Sequence, residues 1–195
     1  MRPPARAASA AGSPPVQTPM VPPARAFFDT NVLVYAHDAS EPRKRDVARG
    51  LILDHLGAGA LCTSTQALAE YFGVVTSKGE APLGARAAAW LIEQLPADAV
   101  VAPGPGTLRA AVRRCVAGDS SIWDALIVEA AREAGAEVLF TEDRRLLRAV
   151  NGEPDAPDAP DAPEAPDDGR SLRGAAARGA DPRSLRAVDP FADLP

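Results

Sequence analysis

The chain has 195 residues, 20 of them proline, and a formal net charge of −5 at pH 7. No run approaches the roughly 20 apolar residues of a membrane-spanning helix, so we expect a soluble, cytoplasmic protein with no membrane partner. Seven acidic residues and no basic residue fall within 151–169, and without them the charge of −5 becomes +2. Nucleic acid is therefore not excluded as a partner.

Composition divides the chain into four parts. Residues 1–24 offer little to bury and are predicted to be a disordered N-terminal extension. Residues 25–150 have the size of one compact domain. Residues 151–184 contain repeats of Asp-Ala-Pro and are predicted to be a disordered acidic insertion. Residues 185–195 are expected to contain a last edge strand at 186–189, with a disordered C-terminus as the alternative.

Strands and helices alternate along the central part of the chain. The predicted strands are 26–29, 60–63, 99–102 and 137–141, and the predicted helices are 31–36, 41–56, 66–77, 82–95, 108–117, 122–133 and 144–150. Alternation of this kind places strands side by side in parallel, with helices on both faces. The sequence therefore predicts the α/β class, as a three-layer α/β/α fold with a mostly parallel central sheet.

The helix predicted at 108–117 has an apolar stripe. Leu108, Val112 and Val116 recur at the spacing of one helix face, so we expect them to be buried. Residues 103–106 are predicted to form a turn, and Thr107 is predicted to be the N-cap of the helix.

Asp124 is the most informative acidic residue. Glu129 and Glu133 are expected to mark the solvated face of helix 122–133, and Asp124 lies nearly opposite them. A buried carboxylate without a partner costs several kcal/mol, which favours a functional role. The alternative is structural: with Ser121 as the N-cap, Asp124 would belong to a capping box.

Two further carboxylates follow predicted strands. Asp29 ends the first strand and Asp143 follows the fourth, and the carboxyl ends of parallel strands meet at one edge of a sheet, where such folds bind ligands. Either residue alone is equally explained as a helix cap. Glu70, on helix 66–77, is by itself more typical of a solvated side chain.

Three or four carboxylates in one place repel one another unless a cation neutralises them. Oxygen ligands without Cys or His favour Mg²⁺ or Mn²⁺ over zinc. The two cysteines, Cys62 and Cys115, are interpreted as core thiols, and His37 and His55 as surface or structural residues.

Four segments together resemble those of PIN-domain ribonucleases of the VapC-type toxin class. The resemblance covers about 26–150, with a last piece at 186–191. Its segments are Phe-Asp-Thr-Asn at 28–31, Gln-Ala-Leu-Ala-Glu-Tyr-Phe at 66–72, Ser-Ile-Trp-Asp-Ala-Leu-Ile at 121–127 and Thr-Glu-Asp at 141–143.

The resemblance assigns roles to individual residues. It implies that the metal-binding, catalytic acids are Asp29, Glu70, Asp124 and Asp143, and that Asn31 and Thr141 support the first and last of them. It also implies an endoribonuclease that uses Mg²⁺ or Mn²⁺ to activate water, a toxin of a type II toxin–antitoxin pair, a homodimer, and a small cognate antitoxin as partner.

Basic residues on two helices are candidates for contacts to the RNA backbone. They are Arg43, Lys44, Arg45, Arg109 and Arg113, and a solvated helix flank is the alternative for each.

Two other functions stay open. One is a non-catalytic PIN module that binds RNA or protein. The other is a phosphotransfer domain with an Asp nucleophile, which the asparagine at position 31 disfavours because an Asp-x-Asp motif is missing.

Overall fold

The structure is a computed structural model that describes residues 23–77, 83–118, 120–152 and 185–194. Its strands are β1 (Ala26–Phe28), β2 (Leu61–Ser64), β3 (Val100–Val101), β4 (Val138–Phe140) and β5 (Arg186–Val188). Its α-helices are α1 (Thr30–Tyr35), α2 (Pro42–Gly57), α3 (Thr65–Val75), α4 (Ala85–Glu93), α5 (Pro105–Val116), α6 (Ile122–Glu133) and α7 (Arg144–Asn151), and a 3₁₀ turn covers Ala97–Ala99. The disorder predicted for 1–24 and 151–184 falls almost wholly outside the described residues.

The five strands form one parallel sheet in the order β3-β2-β1-β4-β5. The chain runs outward from β1 to β2 and β3, then returns to place β4 on the other side of β1. The switch point of the sheet therefore lies between the carboxyl ends of β1 and β4, where open α/β sheets bind ligands. The predicted α/β class and parallel sheet are confirmed.

Side chains alternate across the sheet and divide the core in two. Phe28 points to the face covered by α1, α2 and α3, where it packs in a cluster with Val32 and Leu68. Phe27 points to the opposite face, where it packs with Val128 of α6 and Leu146 of α7. Because successive strand residues face opposite ways, this one strand anchors both helix layers. The three-layer prediction is confirmed.

The strand predicted near the C-terminus is present as β5, on the edge of the sheet. It pairs in parallel with β4, so that Val188 lies opposite Phe140. The side chain of Asn151, at the end of α7, donates to Ala187 O at 3.0 Å and accepts from Ala187 N at 2.9 Å. These two hydrogen bonds join the end of α7, which precedes residues 153–184, to β5, which follows them. A long insertion is tolerated here because its ends are held together.

His55 is a structural residue, as the sequence interpretation allowed. Its ring is buried and lies edge-on to Phe28 and Phe140, with centroids 5.4 and 5.5 Å away. Its Nδ1 lies 2.8 Å from the carbonyl oxygen of Leu51. Cys62 is a buried core thiol, and burial raises its pKa to about 11. Cys115 is only half-buried.

Helix α5 begins earlier than the sequence indicated. Pro105 is its first residue and Gly104 its N-cap, so the predicted turn at 103–106 and the predicted cap at Thr107 are wrong. Proline suits the first helical position because it lacks the N–H that would go unpaired there. Thr107 is instead the third helical residue, and its hydroxyl accepts from Gly104 N at 3.2 Å.

The predicted burial of the α5 stripe is also wrong. Leu108, Val112 and Val116 are 48%, 45% and 84% exposed. The helix turns a polar face to α6 instead: Arg114 pairs with Glu129 at 3.2 Å. Glu129 is therefore covered and not solvated as predicted. Ala111 is the fully buried apolar residue of α5, and the charged pair adds to the α5–α6 contact, while the stripe of Leu108, Val112 and Val116 faces outward.

Thr107 and Glu133 give a second polar contact between these helices, in which the threonine hydroxyl donates to the carboxylate. Glu133 is thus engaged by α5, as Glu129 is. Within the described ranges, no helix is both long and apolar enough to cross a membrane.

Candidate active site

Asp29 lies at the switch point of the sheet, directly after β1. It is the N-cap of α1, and its Oδ1 accepts from Thr30 N at 2.7 Å. Its own backbone N donates to Phe140 O of β4 at 3.1 Å, which fixes it against the neighbouring strand. Only 6% of the residue is exposed. The strand thus ends in a carboxylate that is almost fully removed from water.

Asn31 and Thr141 hold the second oxygen of this carboxylate. Thr141 Oγ1 donates to Asp29 Oδ2 at 2.7 Å, and Asn31 Nδ2 donates to the same oxygen at 2.9 Å. The Thr141 hydroxyl also accepts from Asn31 Nδ2 at 3.1 Å and from Asp143 N at 3.0 Å. The two residues predicted to support the first and last acids therefore join them in one network.

Burial raises the pKa of Asp29 to about 6, from an ordinary value of 3.8. The hydrogen bonds from Thr141 and Thr30 oppose this rise because they favour the charged form. The negative charges of Glu70 and Asp143 add to it. The carboxylate is thus held in a place where its charge is costly, which is typical of functional sites.

The other three acids reach the same place from three helices. Glu70 projects from α3, where its Oε2 accepts from Thr30 Oγ1 at 2.8 Å. Asp143 is the N-cap of α7, and its Oδ1 accepts from Arg145 N at 2.7 Å. Asp124 is the third residue of α6, and its backbone N donates to Ser121 Oγ. The capping explanation therefore holds for Asp143. Ser121 is the N-cap of α6 as predicted, but its bond is to the backbone N of Asp124 and does not engage the carboxylate. Capping does not account for the convergence of the acids.

One pocket of about 420 Å³ gathers all four predicted acids. Two more carboxylates, Asp38 and Glu142, also line it. Its other lining residues are Thr30, Asn31, Val34, Tyr35, Gln66, Val74, Trp123, Ile127 and Leu146. None of the described residues that line it is Lys or Arg, although Glu142 at its border pairs with Lys44, which lies outside the lining.

The chemistry of these donors fits a hard divalent cation. Carboxylate oxygens without thiolate or imidazole are the ligands that Mg²⁺, Mn²⁺ and Ca²⁺ prefer. The arrangement is open, however: in the part of the chain that the structure describes, no three such side chains lie close enough together to form a ready-made metal site. Mutual repulsion keeps uncompensated carboxylates apart, and a bound cation would reverse that force.

A second network borders the pocket and was not predicted. Glu142 accepts from Lys44 Nζ at 2.7 Å and from the hydroxyl of Tyr35 at 2.6 Å. Lys44 Nζ also donates to that hydroxyl at 2.9 Å and lies 4.2 Å from the centroid of the Tyr35 ring. Phe191 packs edge-on to Tyr35 at 5.1 Å. The C-terminal segment thus closes over this network.

Contacts within this network shift two pKa values. The hydrogen bonds to Glu142 and to Tyr35 raise the pKa of Lys44 above its ordinary range. Burial, and then the bond to Glu142, raises the pKa of Tyr35. Both groups therefore keep their protons across the physiological range, and the lysine holds Glu142 as a charged pair.

The five basic candidates for RNA contact lie outside the lining of the acidic pocket. Lys44 is engaged by Glu142, and Arg45 pairs with the neighbouring Asp46 at 3.0 Å. Arg109 and Arg113 are exposed on α5, and Arg43 is exposed on α2. Their role in RNA binding stays a prediction.

The PIN domain family matches residues 26–152, which is more than half of the chain. The chain therefore belongs to the PIN domain family, whose members are generally metal-dependent nucleases, and it carries a nuclease-type fold. No curated protein matches the chain.

Proposed function

We propose that the chain is a metal-dependent endoribonuclease, the toxin of a type II toxin–antitoxin pair, and that it acts in the acidic pocket. One observation carries the proposal: carboxylates from four separate elements meet at the switch point, with no basic side chain among the described lining residues. Such a pocket repels a phosphodiester unless it also holds a cation. A protein that only bound nucleic acid would have no use for this charge.

Asp29, Glu70, Asp124 and Asp143 would hold the cation, Mg²⁺ or Mn²⁺. When bound, such an ion neutralises the phosphate, lowers the pKa of a water ligand and stabilises the leaving oxygen. The chain's own contribution is orientation. Asn31 and Thr141 fix the direction of the Asp29 carboxylate through two hydrogen bonds to one oxygen. Because the pKa of Asp29 is about 6, this carboxylate is ionised at neutral pH.

The choice of RNA as substrate and the toxin role rest on the resemblance of the four segments. In the structure, these segments supply the four acids and Asn31 of the pocket lining, together with the buried Thr141 that bonds to Asp29 behind it. Exposed Arg109 and Arg113 on α5 offer positive charge outside the pocket for a polyanion. In the phosphotransfer alternative, position 31 would carry a second aspartate, but Asn31 instead donates its amide hydrogen bond to Asp29.

The direct test is cleavage of labelled total RNA by the purified full-length protein. Reactions contain Mg²⁺, Mn²⁺ or EDTA, and Asp29→Ala is the inactive variant. We expect discrete fragments that require metal and disappear in the variant, and mapping their ends identifies the target. Asp54→Asn is the matched control, because Asp54 is exposed on α2 and does not line the pocket. Cleavage that persists in EDTA contradicts the proposal.

The rival function is a non-catalytic PIN module, and the open arrangement of the carboxylates is the observation that favours it. Induced expression in a bacterial host separates the two. A nuclease toxin arrests growth, and Asp124→Asn abolishes the arrest without unfolding the protein. A binding module arrests growth equally with either aspartate or asparagine at this position.

The homodimer belongs to the same proposal. The exposed stripe of α5 presents Leu108, Val112 and Val116 to solvent, and apolar patches of this kind mark contact surfaces. We expect light scattering after size exclusion to give twice the chain mass, and Val112→Glu to give the monomer mass. The monomer mass for the wild type contradicts the dimer.

Co-expression with a cognate antitoxin should restore growth.

A further inference from the structure

A second pocket adjoins the acidic one and has a different character. Its volume is about 580 Å³, within the range of ligand pockets. Its lining residues are Thr65, Gln66, Pro103, Gly104, Pro105, Leu108, Trp123 and Leu126. Gln66 and Trp123 also line the acidic pocket, so the two spaces share a wall. None of the described residues that line the second pocket carries a charge.

Trp123 forms the boundary between these two spaces. It is the second residue of α6 and directly precedes Asp124, one of the four acids. Its side chain is 64% exposed, although an indole gains a large free energy from burial. An exposed flat ring next to a reaction site is explained by a ligand that covers it.

Charge decides which part of a nucleic acid the second pocket can take. The acidic pocket repels phosphates, so a bound cation must make the phosphate contact there. The second pocket has no charged lining residue among those described, so it neither repels nor attracts a phosphate. A nucleobase is neutral and flat, and an indole stacks with it irrespective of the base. The amide of Gln66 and the hydroxyl of Thr65 provide polar groups at the edge of the same space.

We propose that Trp123 stacks a nucleobase of a single-stranded substrate in the second pocket, beside the bond that is cleaved in the acidic pocket. This rests on the proposed nuclease function. In a duplex, both faces of each base are covered by neighbouring bases, so only an unstacked base can lie against the ring. Trp123 thereby selects single strands and sets the position of the chain relative to the four acids.

Tryptophan fluorescence tests the proposal, because the chain has two tryptophans. Trp90→Phe leaves Trp123 as the single reporter, and Ca²⁺ in place of Mg²⁺ fills the acidic pocket with its four acids unchanged while it slows cleavage. The probe is an oligouridylate of 12 nucleotides, whose bases stack little on one another, titrated into the full-length protein with Ca²⁺. We expect quenching on binding. Trp123→Ala should weaken binding about 5- to 150-fold, measured by anisotropy of a labelled probe, and Trp123→Phe should restore most of it.

Three controls separate stacking from other effects. Trp90 is 58% exposed on α4 and lines neither pocket, so Trp90→Ala should bind as the wild type does. A probe with abasic sites should bind wild type and Trp123→Ala equally. The slope of log Kd against log salt should be unchanged in Trp123→Ala, since stacking releases no counterions.

Other outcomes overturn the inference. The first two are an unchanged affinity of Trp123→Ala for RNA, and a loss of affinity in Trp123→Ala that is as large for the abasic probe as for the intact one. The third is that the wild type does not bind the probe. The fourth is that Trp123→Ala changes the mass of the protein in solution while its affinity for RNA is unchanged. The last result assigns the surface to a second copy of the chain. Because binding is measured without cleavage, an inactive wild type that still binds through Trp123 contradicts the nuclease proposal alone.

Discussion

The buried charge of Asp29 should make the stability of the metal-free protein depend on pH. In the folded state its pKa is about 6, against 3.8 for an unperturbed aspartate. The difference of about 2 units corresponds to about 3 kcal/mol at 1.36 kcal/mol per unit. A group whose folded pKa is raised contributes stability below its unfolded pKa and loses it as pH rises through the folded pKa. The loss therefore falls between pH 4 and pH 7.

The substitution Asp29→Asn isolates this effect. Asparagine keeps the size of the side chain but cannot ionise, and the changes it makes to the hydrogen bonds with Thr30 and Thr141 do not vary with pH. Urea unfolding in EDTA at intervals from pH 4 to pH 8 gives the free energy of unfolding for both proteins. The value for the wild type minus that for the variant should fall by about 3 kcal/mol across this range.

The control is Asp46→Asn, since Asp46 is exposed and pairs with Arg45 at the surface. Its difference from the wild type should stay nearly constant with pH. Parallel curves for wild type and Asp29→Asn would refute the reasoning, because they would mean that the carboxylate pays no desolvation cost. A difference that rises with pH would show that hydrogen bonds outweigh burial.

Three further predictions concern the metal and the second network. Mg²⁺ should raise the thermal midpoint of the wild type at neutral pH but not that of Asp29→Asn, measured by scanning calorimetry. Phe191→Ala should lower the free energy of unfolding by about 3–5 kcal/mol in urea titrations, because this buried ring covers Tyr35 and Lys44. A double-mutant cycle of Lys44→Met with Glu142→Gln should give a coupling of about 1 kcal/mol, since the pair is partly exposed.

Each of these has a control and a contrary result. Asp54→Asn should keep the Mg²⁺ response, and an equal response in Asp29→Asn would remove Asp29 from the metal site. Phe72→Ala, at a partly exposed aromatic, should cost much less than Phe191→Ala, and equal losses would show that the C-terminal segment does not pack as described. The Arg45–Asp46 pair should give a smaller coupling energy than Lys44–Glu142. A larger coupling for Arg45–Asp46 would contradict the prediction that the Lys44–Glu142 pair is the stronger of the two.

The sequence predicted the positions of Asp29 and Asp143 because both depend on local patterns. Each follows a short apolar strand, and parallel pairing brings the ends of such strands to one edge. The sheet order was not needed for this inference. The structure adds that β1 and β4 are neighbours, so that Thr141 bonds directly to Asp29.

The sequence could not predict contacts that join distant parts of the chain. Lys44 and Glu142 are 98 positions apart, and nothing near either residue indicates its partner. The same limit explains the error on α5. An apolar stripe at helical spacing shows that Leu108 and Val112 share a face, but it does not show whether the core or another molecule covers it.

Cleavage of a defined single-stranded RNA, taken from the mapped target, tests the central claim most directly. The wild type would be compared in Mg²⁺ with Asp29→Asn, Glu70→Gln, Asp124→Asn and Asp143→Asn, with Asp54→Asn as the control. The account predicts that each of the four substitutions lowers the rate by at least about 100-fold while the control cleaves normally. Wild-type rates in two or more of the four variants would contradict a site built from these carboxylates.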